Sequence, residues 1–310
     1  LGDSFASGQG NPDSPTKLFG IIPPNWIDDE CFRSSKSWTY KVYQKIAKKY
    51  PDYAFKQAQL QSGILFTYIP CSGSSISHGL LGTGHHGCGP QIQRLRSVQE
   101  KGAEYFCQLC RQTKYIPNCC KESVLRPDLV LMSVGGIDIG FGDIIISMLL
   151  GVLDSAFQKI PFRFQIFQRN LDQLAFEMRL KSHIDPKSVF YAQYYDLTRN
   201  GSGRVDASCD GLLKTKTTDF QRASSEILSK LNRIIAGTAK RYNWNPVTGV
   251  ADLFKLHGIC SRDSYILNML DSIRVQRNFH GAFHPKEVGH ARVANLVWAQ
   301  VKPYLEQKFK

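Results

Sequence analysis

Asp128-Leu129-Val130-Leu131-Met132-Ser133-Val134-Gly135-Gly136 is the stretch on which the fold turns. Its apolar residues run on without alternating, the pattern of a strand covered on both faces, and it stops at two glycines. Such strands belong to parallel sheets, because the helices that carry the chain back cover both sides. Ser188-Val189-Phe190-Tyr191-Ala192-Gln193 repeats the pattern. Ile64-Leu65-Phe66-Thr67-Tyr68-Ile69 is rich in β-formers and ends at Pro70, so it reads as a strand delivering Cys71-Ser72-Gly73 at its carboxyl end. Helical spacing is predicted over 37–49, with Ser37 as N-cap and Trp38, Val42 and Ile46 apolar, and again near 165–182, 217–241 and 287–307. Strands alternating with helices predict an α/β chain with a central parallel sheet covered on both sides, a single domain over 1–310. The Cys-rich stretch 82–124 is the candidate insertion.

Parallel α/β sheets gather their sites at the carboxyl ends of the strands. Four segments are expected to meet there: Ser4, in Gly2-Asp3-Ser4-Phe5-Ala6-Ser7-Gly8-Gln9-Gly10; Gly73; Gly135 to Ile137; and the loop of Phe283-His284-Pro285-Lys286-Glu287-Val288-Gly289-His290. A serine hydroxyl is a poor nucleophile at neutral pH and needs an imidazole to take its proton, so Ser4 gains meaning from His284. The chain opens inside a motif that ordinarily follows a strand, so part of a first strand and a signal peptide are expected to be missing from it.

Composition narrows the class. The 310 residues are 42% hydrophobic, enough for a substantial core. The most apolar run, 144–153, is about half the ~18 to 20 residues that span a bilayer, so no transmembrane segment is expected. Nine cysteines suit an oxidising compartment and point to a secreted or periplasmic protein. Cys31 with Cys71 and Cys209 with Cys260 are the expected bridges; the pairing of Cys88, Cys107, Cys110, Cys119 and Cys120 stays open, and an odd count leaves one cysteine over. The net charge of +13 favours anionic surfaces, but the basic residues are scattered along helices rather than gathered in a nucleic-acid motif. Gly82-x-Gly84-x-x-Gly87 lacks the βαβ context of a dinucleotide site, and His85-His86 beside Cys88 lacks further ligands for a metal. Asn200-Gly201-Ser202 is a glycosylation acceptor pattern, and there is no Gly-x-Ser-x-Gly elbow.

In four ordered blocks the chain resembles the SGNH (GDSL) hydrolases, especially secreted bacterial esterases and lipases. Gly2-Asp3-Ser4-Phe5 is similar to the nucleophile block and Cys71-Ser72-Gly73 to the glycine block. Ser133-Val134-Gly135-Gly136-Ile137-Asp138-Ile139-Gly140-Phe141 is similar to the asparagine block, and His284-Pro285 through Gly289-His290 to the histidine block. The resemblance implies a flavodoxin-like three-layer α/β/α sandwich, Ser4 as nucleophile, His284 as base, and an oxyanion hole from the Ser4 and Gly73 main chain. It implies no cofactor and no metal. His280 and His290 are expected to be structural.

Two departures from the family pattern stand out. Where the family has an oxyanion-binding asparagine, the chain has Ile137, which carries no side-chain donor; loss of one such donor typically costs ~10²- to 10³-fold in kcat. Asp138 is expected to tie its own loop. Three residues before His284, where many members carry Asp, stands Gly281, whose main-chain carbonyl is expected to orient the imidazole; Asp263 and Asp271 are the nearest alternatives and are expected at the surface.

The expectation is therefore a monomeric serine esterase or lipase that cleaves carboxylic esters, of an acyl lipid or an acylated glycan, through acyl-Ser4, with an anionic surface as a further partner and no nucleic acid. Two alternatives stand beside it: a lipid- or glycan-binding protein of the same fold impaired by Ile137, and an acyltransferase using the same serine.

Overall fold

The computed structural model describes residues 1–17, 22–50, 64–85, 87–112, 124–209 and 216–310. A one-turn helix α1 (Ser4–Ser7) follows the first extended residues, and α2 (Trp38–Lys49) follows a long loop. Next come α3 (Gln91–Gln112), β1 (Val130–Met132), α4 (Phe141–Leu150), α5 (Leu153–Phe176) and β2 (Val189–Ala192). A π-helical turn at Ala223–Leu228 joins α6 (Thr217–Arg222) to α7 (Ser229–Arg241), which leads to β3 (Asn245–Val247). Helices α8 (Val250–Leu253), α9 (Met269–Gln276) and α10 (Glu287–Lys308) follow.

The three strands pair in parallel in the order β1-β2-β3, with Val130 opposite Val189 and Phe190 opposite Asn245. Isolated hydrogen bonds extend the sheet beyond β1. Gly2 bridges Ser133 in parallel, Asp3 N–H donates to Ser133 O at 3.1 Å, and on the far side Cys71 N–H donates to Gly2 O at 3.0 Å. Across the sheet the chain therefore runs second, first, third, fourth, fifth, the flavodoxin-like order, and the sequence reverses direction between residues 1–3 and β1. That reversal opens a crevice at the carboxyl ends of those two segments, where Ser4 and Gly135 to Ile137 begin.

Helices cover both faces, as expected. Successive residues of a strand point to opposite sides; Phe190 meets Tyr304 of α10, whereas Tyr191 turns to Trp244 and donates to Val134 O at 2.7 Å. Helix α2 packs along α10 on the Phe190 side, where Trp38 is fully buried and its N–H donates to His290 Nδ1 at 3.2 Å. Helices α5 and α7 pack on the other side. Ser37 caps α2 by accepting from Tyr40 N–H. At Gly135 φ is +129°, and a Cβ there would lie 2.6 Å from Phe167 of α5, so only glycine lets that helix press on the end of β1.

One expected element is absent. Ile64 to Ile69 joins no ladder; the sheet is reached only at Cys71, past Pro70. The aromatic side chains of this segment are engaged elsewhere: Phe66 stacks on Tyr43 of α2 at 4.0 Å, and the Tyr68 hydroxyl bonds Ser7 O and Ser37 Oγ, both at 2.7 Å. In the Cys-rich stretch 82–124 the described part is chiefly α3. Both expected disulfides, Cys31–Cys71 and Cys209–Cys260, are formed. Cys88 is a free thiol, and Cys119 and Cys120 lie outside the described residues. Among the described residues no helix is long and apolar enough to cross a membrane.

Candidate active site

Ser4 is the first residue of α1, placed there by the strand-like run of residues 1–3. The Asp3 carboxylate caps the helix by accepting from Phe5 N–H, and Gly8, at φ +90°, ends it. The Gln91 side chain grips Gly2 on both sides: its Oε1 accepts from Gly2 N–H at 2.8 Å and its Nε2 donates to Gly2 O at 2.7 Å. The nucleophile turn is thus held from below as well as from the sheet.

His284 arrives from the other end of the chain, on the loop before α10. Tyr195 hydroxyl donates to Phe283 O at 2.9 Å, Leu267 N–H donates to His284 O at 2.9 Å, and Asn11 Nδ2 donates to Pro285 O at 2.8 Å. These bonds leave His284 Nε2 at 2.8 Å from Ser4 Oγ, both residues being buried. His284 Nδ1 lies 3.1 Å from Ala282 O. A carbonyl can only accept, so Nδ1 carries the proton and Nε2 presents its lone pair to the serine O–H. This is the tautomer a general base needs. Burial holds the imidazole pKa down to about 4, so it is neutral across the neutral range.

The carbonyl nearest His284 Nδ1 is that of Ala282, ahead of the expected Gly281, whose carbonyl also acts on the ring and accepts His284 main-chain N–H at 3.2 Å. The shift of one residue follows from Phe283, which takes a left-handed φ of +66° and folds the chain back so that the second carbonyl before His284 faces its own ring. Among the described residues no carboxylate bonds His284. Asp271 pairs with Lys286 and Arg274, and the Asp263 main-chain O lies 3.0 Å from His257 Nδ1. His290 is buried against Phe5 and serves α2, in line with a structural role.

Among the described residues neither Ser4 N–H nor Gly73 N–H has an acceptor, which leaves two main-chain donors open for an oxyanion. Gly73 has φ +77°, and a Cβ there would lie 2.3 Å from His85 Nε2, so the position admits only glycine without rearrangement. Its loop is tied to the nucleophile turn by a bond from Ser72 Oγ to Gln9 Oε1. The cleft beside Ser4 is lined by Ser4, His284 and Ile137 together, while Gly73 stands outside that lining. Ile137 contributes apolar wall. Asp138, expected to tie its own loop, bonds its own main chain and also reaches across to accept from Ile76 N–H at 3.1 Å, joining its turn to the segment after Gly73.

One group escaped the sequence reading. Tyr194 hydroxyl donates to Asp3 Oδ2 and accepts from Gly136 N–H at 2.9 Å, joining the nucleophile turn to the turn that bears Ile137. Its signal was its place two residues past β2, at the same sheet edge as the other site segments. Burial pushes the Asp3 carboxyl up to about 7. Beyond these groups the cleft is apolar, walled by Ile139, Phe141, Ile144, Ile227 and Leu231, with an empty volume of about 750 Å³ that includes its open mouth.

No family model matches the chain, and no curated protein matches it. Solved structures do. The phospholipase A1 of Streptomyces albidoflavus NA297 superposes with a TM-score of 0.59 at 19% identity, and the extracellular lipase of Streptomyces rimosus with a TM-score of 0.60 at 18% identity. Each comparison covers 97% of this chain and 97% of the other. Likeness at this level of identity establishes the fold, a three-layer α/β/α sandwich, and it is the fold that the four sequence blocks implied.

Proposed function

We propose that the protein is a carboxylic ester hydrolase of the esterase or lipase type, working through an acyl-Ser4 intermediate. The observation that carries this reading is the 2.8 Å contact of Ser4 Oγ with His284 Nε2, in the tautomer fixed by Ala282 O. As Oγ attacks the ester carbonyl carbon, its proton passes to Nε2. The carbonyl oxygen becomes an oxyanion, for which the N–H groups of Ser4 and Gly73, neither with an acceptor among the described residues, are the proposed donors. Collapse of the tetrahedral intermediate expels the alcohol, which takes the proton back from His284, and water repeats the sequence to release the acid. The Ala282 carbonyl dipole supports the transient imidazolium in place of a carboxylate. The apolar cleft suits the acyl side of the ester. The two disulfides support a secreted or periplasmic setting.

With p-nitrophenyl esters of short acids the expected result is a burst of p-nitrophenol, lost in Ser4→Ala and in His284→Ala, with Ser4 labelled by a fluorophosphonate. Activity unchanged in Ser4→Ala overturns the reading. Because Ile137 presents an apolar wall where a donor would assist, a second reading, a binding protein of low activity, has its own readout. In that case Ile137→Asn raises kcat by up to the ~10²- to 10³-fold that one oxyanion donor supplies, whereas fast turnover by the wild type eliminates it.

A further inference from the structure

Helix α4 has two apolar sides. Ile144 and Ile145 line the cleft, while Ile146 and Leu150, and Val152 just beyond, face outward, Leu150 at 64% exposure. Its neighbour α5 repeats the theme. Phe162, at 65% exposure, and Ile166 lie one turn apart, and Phe176 and Leu180 continue outward beyond them. Ile166 is three residues from Arg163, whose guanidinium bonds Asp143 of α4, so the apolar pair lies on the side of α5 that adjoins α4. Single exposed apolar residues are ordinary on a protein surface. Several on two packed helices, of which α4 also walls the cleft, form a patch, and patches of this kind mark interaction sites.

The charges around the patch identify its occupant. Lys159, three residues before Phe162, and Arg169, three after Ile166, are exposed on the same stripe. The acidic residues of the two helices are neutralised, Asp143 by Arg163, Asp154 by Arg222 and Asp172 by Arg241. Lys159 and Arg169 have no carboxylate within ion-pair distance among the described residues. Apolar side chains interleaved with unpaired cations, on a chain of net charge +13, fit a surface that is apolar below and anionic above. A second copy of the chain would set these cations against their own kind.

We propose that the outer face of the α4–α5 pair is a docking surface for an anionic lipid bilayer, on which the two helices lie in the plane of the head groups with the cleft mouth beside them. The inference rests on the ester-hydrolase reading for its purpose, delivery of an acyl chain to Ser4, but the docking itself needs no catalysis. The test therefore uses Ser4→Ala protein and vesicles of phosphatidylglycerol or of phosphatidylcholine, with bound protein measured by co-sedimentation. The expected result is binding to phosphatidylglycerol at least ~10-fold tighter than to phosphatidylcholine, weakened by salt, and reduced at least ~10-fold by adding Phe162→Asp or Ile146→Asp. Both positions are exposed, and unchanged thermal unfolding of the variants confirms that the fold is intact. Lys159→Glu with Arg169→Glu is expected to abolish the lipid preference. In the protein with Ser4 intact, Phe162→Asp is expected to leave kcat/KM for a soluble short ester unchanged. Equal vesicle binding with and without Phe162→Asp overturns the proposal, as does a dimer in solution that Phe162→Asp dissociates, which assigns the patch to a second copy. Loss of the ester-hydrolase reading would show separately, as Ser4-independent turnover.

Discussion

His284 is held by a main-chain carbonyl, and this fixes what its titration should look like. A carboxylate partner would raise the imidazole pKa; Ala282 O does so only weakly, and burial lowers it to about 4. The proposed base acts only when neutral. The acid limb of kcat/KM on an uncharged short ester is therefore expected near pH 4 rather than near the ordinary histidine value of about 6.5. A limb near 6.5 would mean that the histidine is solvated in the working enzyme. The pair itself was legible in the sequence, because Ser4 and His284 each sit in a block whose order along the chain is informative. Ala282 was not legible: its role depends on the left-handed backbone of Phe283, which no residue type at that place announces.

At the scale of elements, the strands flanking the cleft were readable from continuous apolar runs, and the long helices from their spacing. The segment 64–69 misled because β-propensity records fitness for packing, and its aromatic rings pack on α2 instead of a neighbouring strand. The hairpin that follows brings Cys88 Sγ to 3.1 Å from Cys31 Sγ, and the sulfurs of Cys31, Cys71 and Cys88 all lie within 4.8 Å of one another. A Cys88 thiolate can attack Cys31 Sγ, form Cys31–Cys88 and release Cys71 as thiolate, with no oxidant consumed. Arg33 Nη2 lies 4.0 Å from the Cys88 sulfur and Glu30 Oε2 3.8 Å from it. Cys71 precedes Ser72 and Gly73, and His85 on the same hairpin packs on Gly73. Incubation at alkaline pH is therefore expected to yield a Cys31–Cys88 peptide in step with loss of ester hydrolysis, and Cys88→Ser to suppress both. Peptide maps holding only Cys31–Cys71 after such treatment would refute the exchange.

For the whole molecule, four buried or half-buried groups at the site pull stability in opposite directions with pH. His284 and His290 are lowered to about 4 and about 3, so their contribution is full above the unfolded value near 6.5 and is lost as pH falls toward the folded values. Asp3 and Asp138 are raised to about 7 and about 6, so theirs is full below the unfolded value near 3.9 and is lost as pH rises through the folded values. Asp3→Asn removes one member of the second set. Between pH 4 and 7 the stability difference, read from urea midpoints, is expected to move in favour of the variant by up to ~1.4 kcal/mol per pH unit. Parallel curves for the two proteins would show that Asp3 ionises normally. The basic character was visible in the composition and the parallel sheet in the alternation of strands and helices, whereas the flavodoxin-like sandwich was implied only by the family resemblance. The bond from Tyr194 to Asp3 was not, since a tyrosine after a buried strand reads as core until its hydroxyl is placed.

The hydrogen bond between residues 4 and 284 joins positions 280 apart in the sequence. Contacts so distant in sequence form late, after the intervening chain has given up its freedom. The proposed nucleophile therefore gains its proposed base only when the loop carrying His284 has docked against the turn at Ser4. A copy in which the His284 loop has not docked carries Ser4 without its proposed base, so the proposed activity is expected only once the cleft has closed.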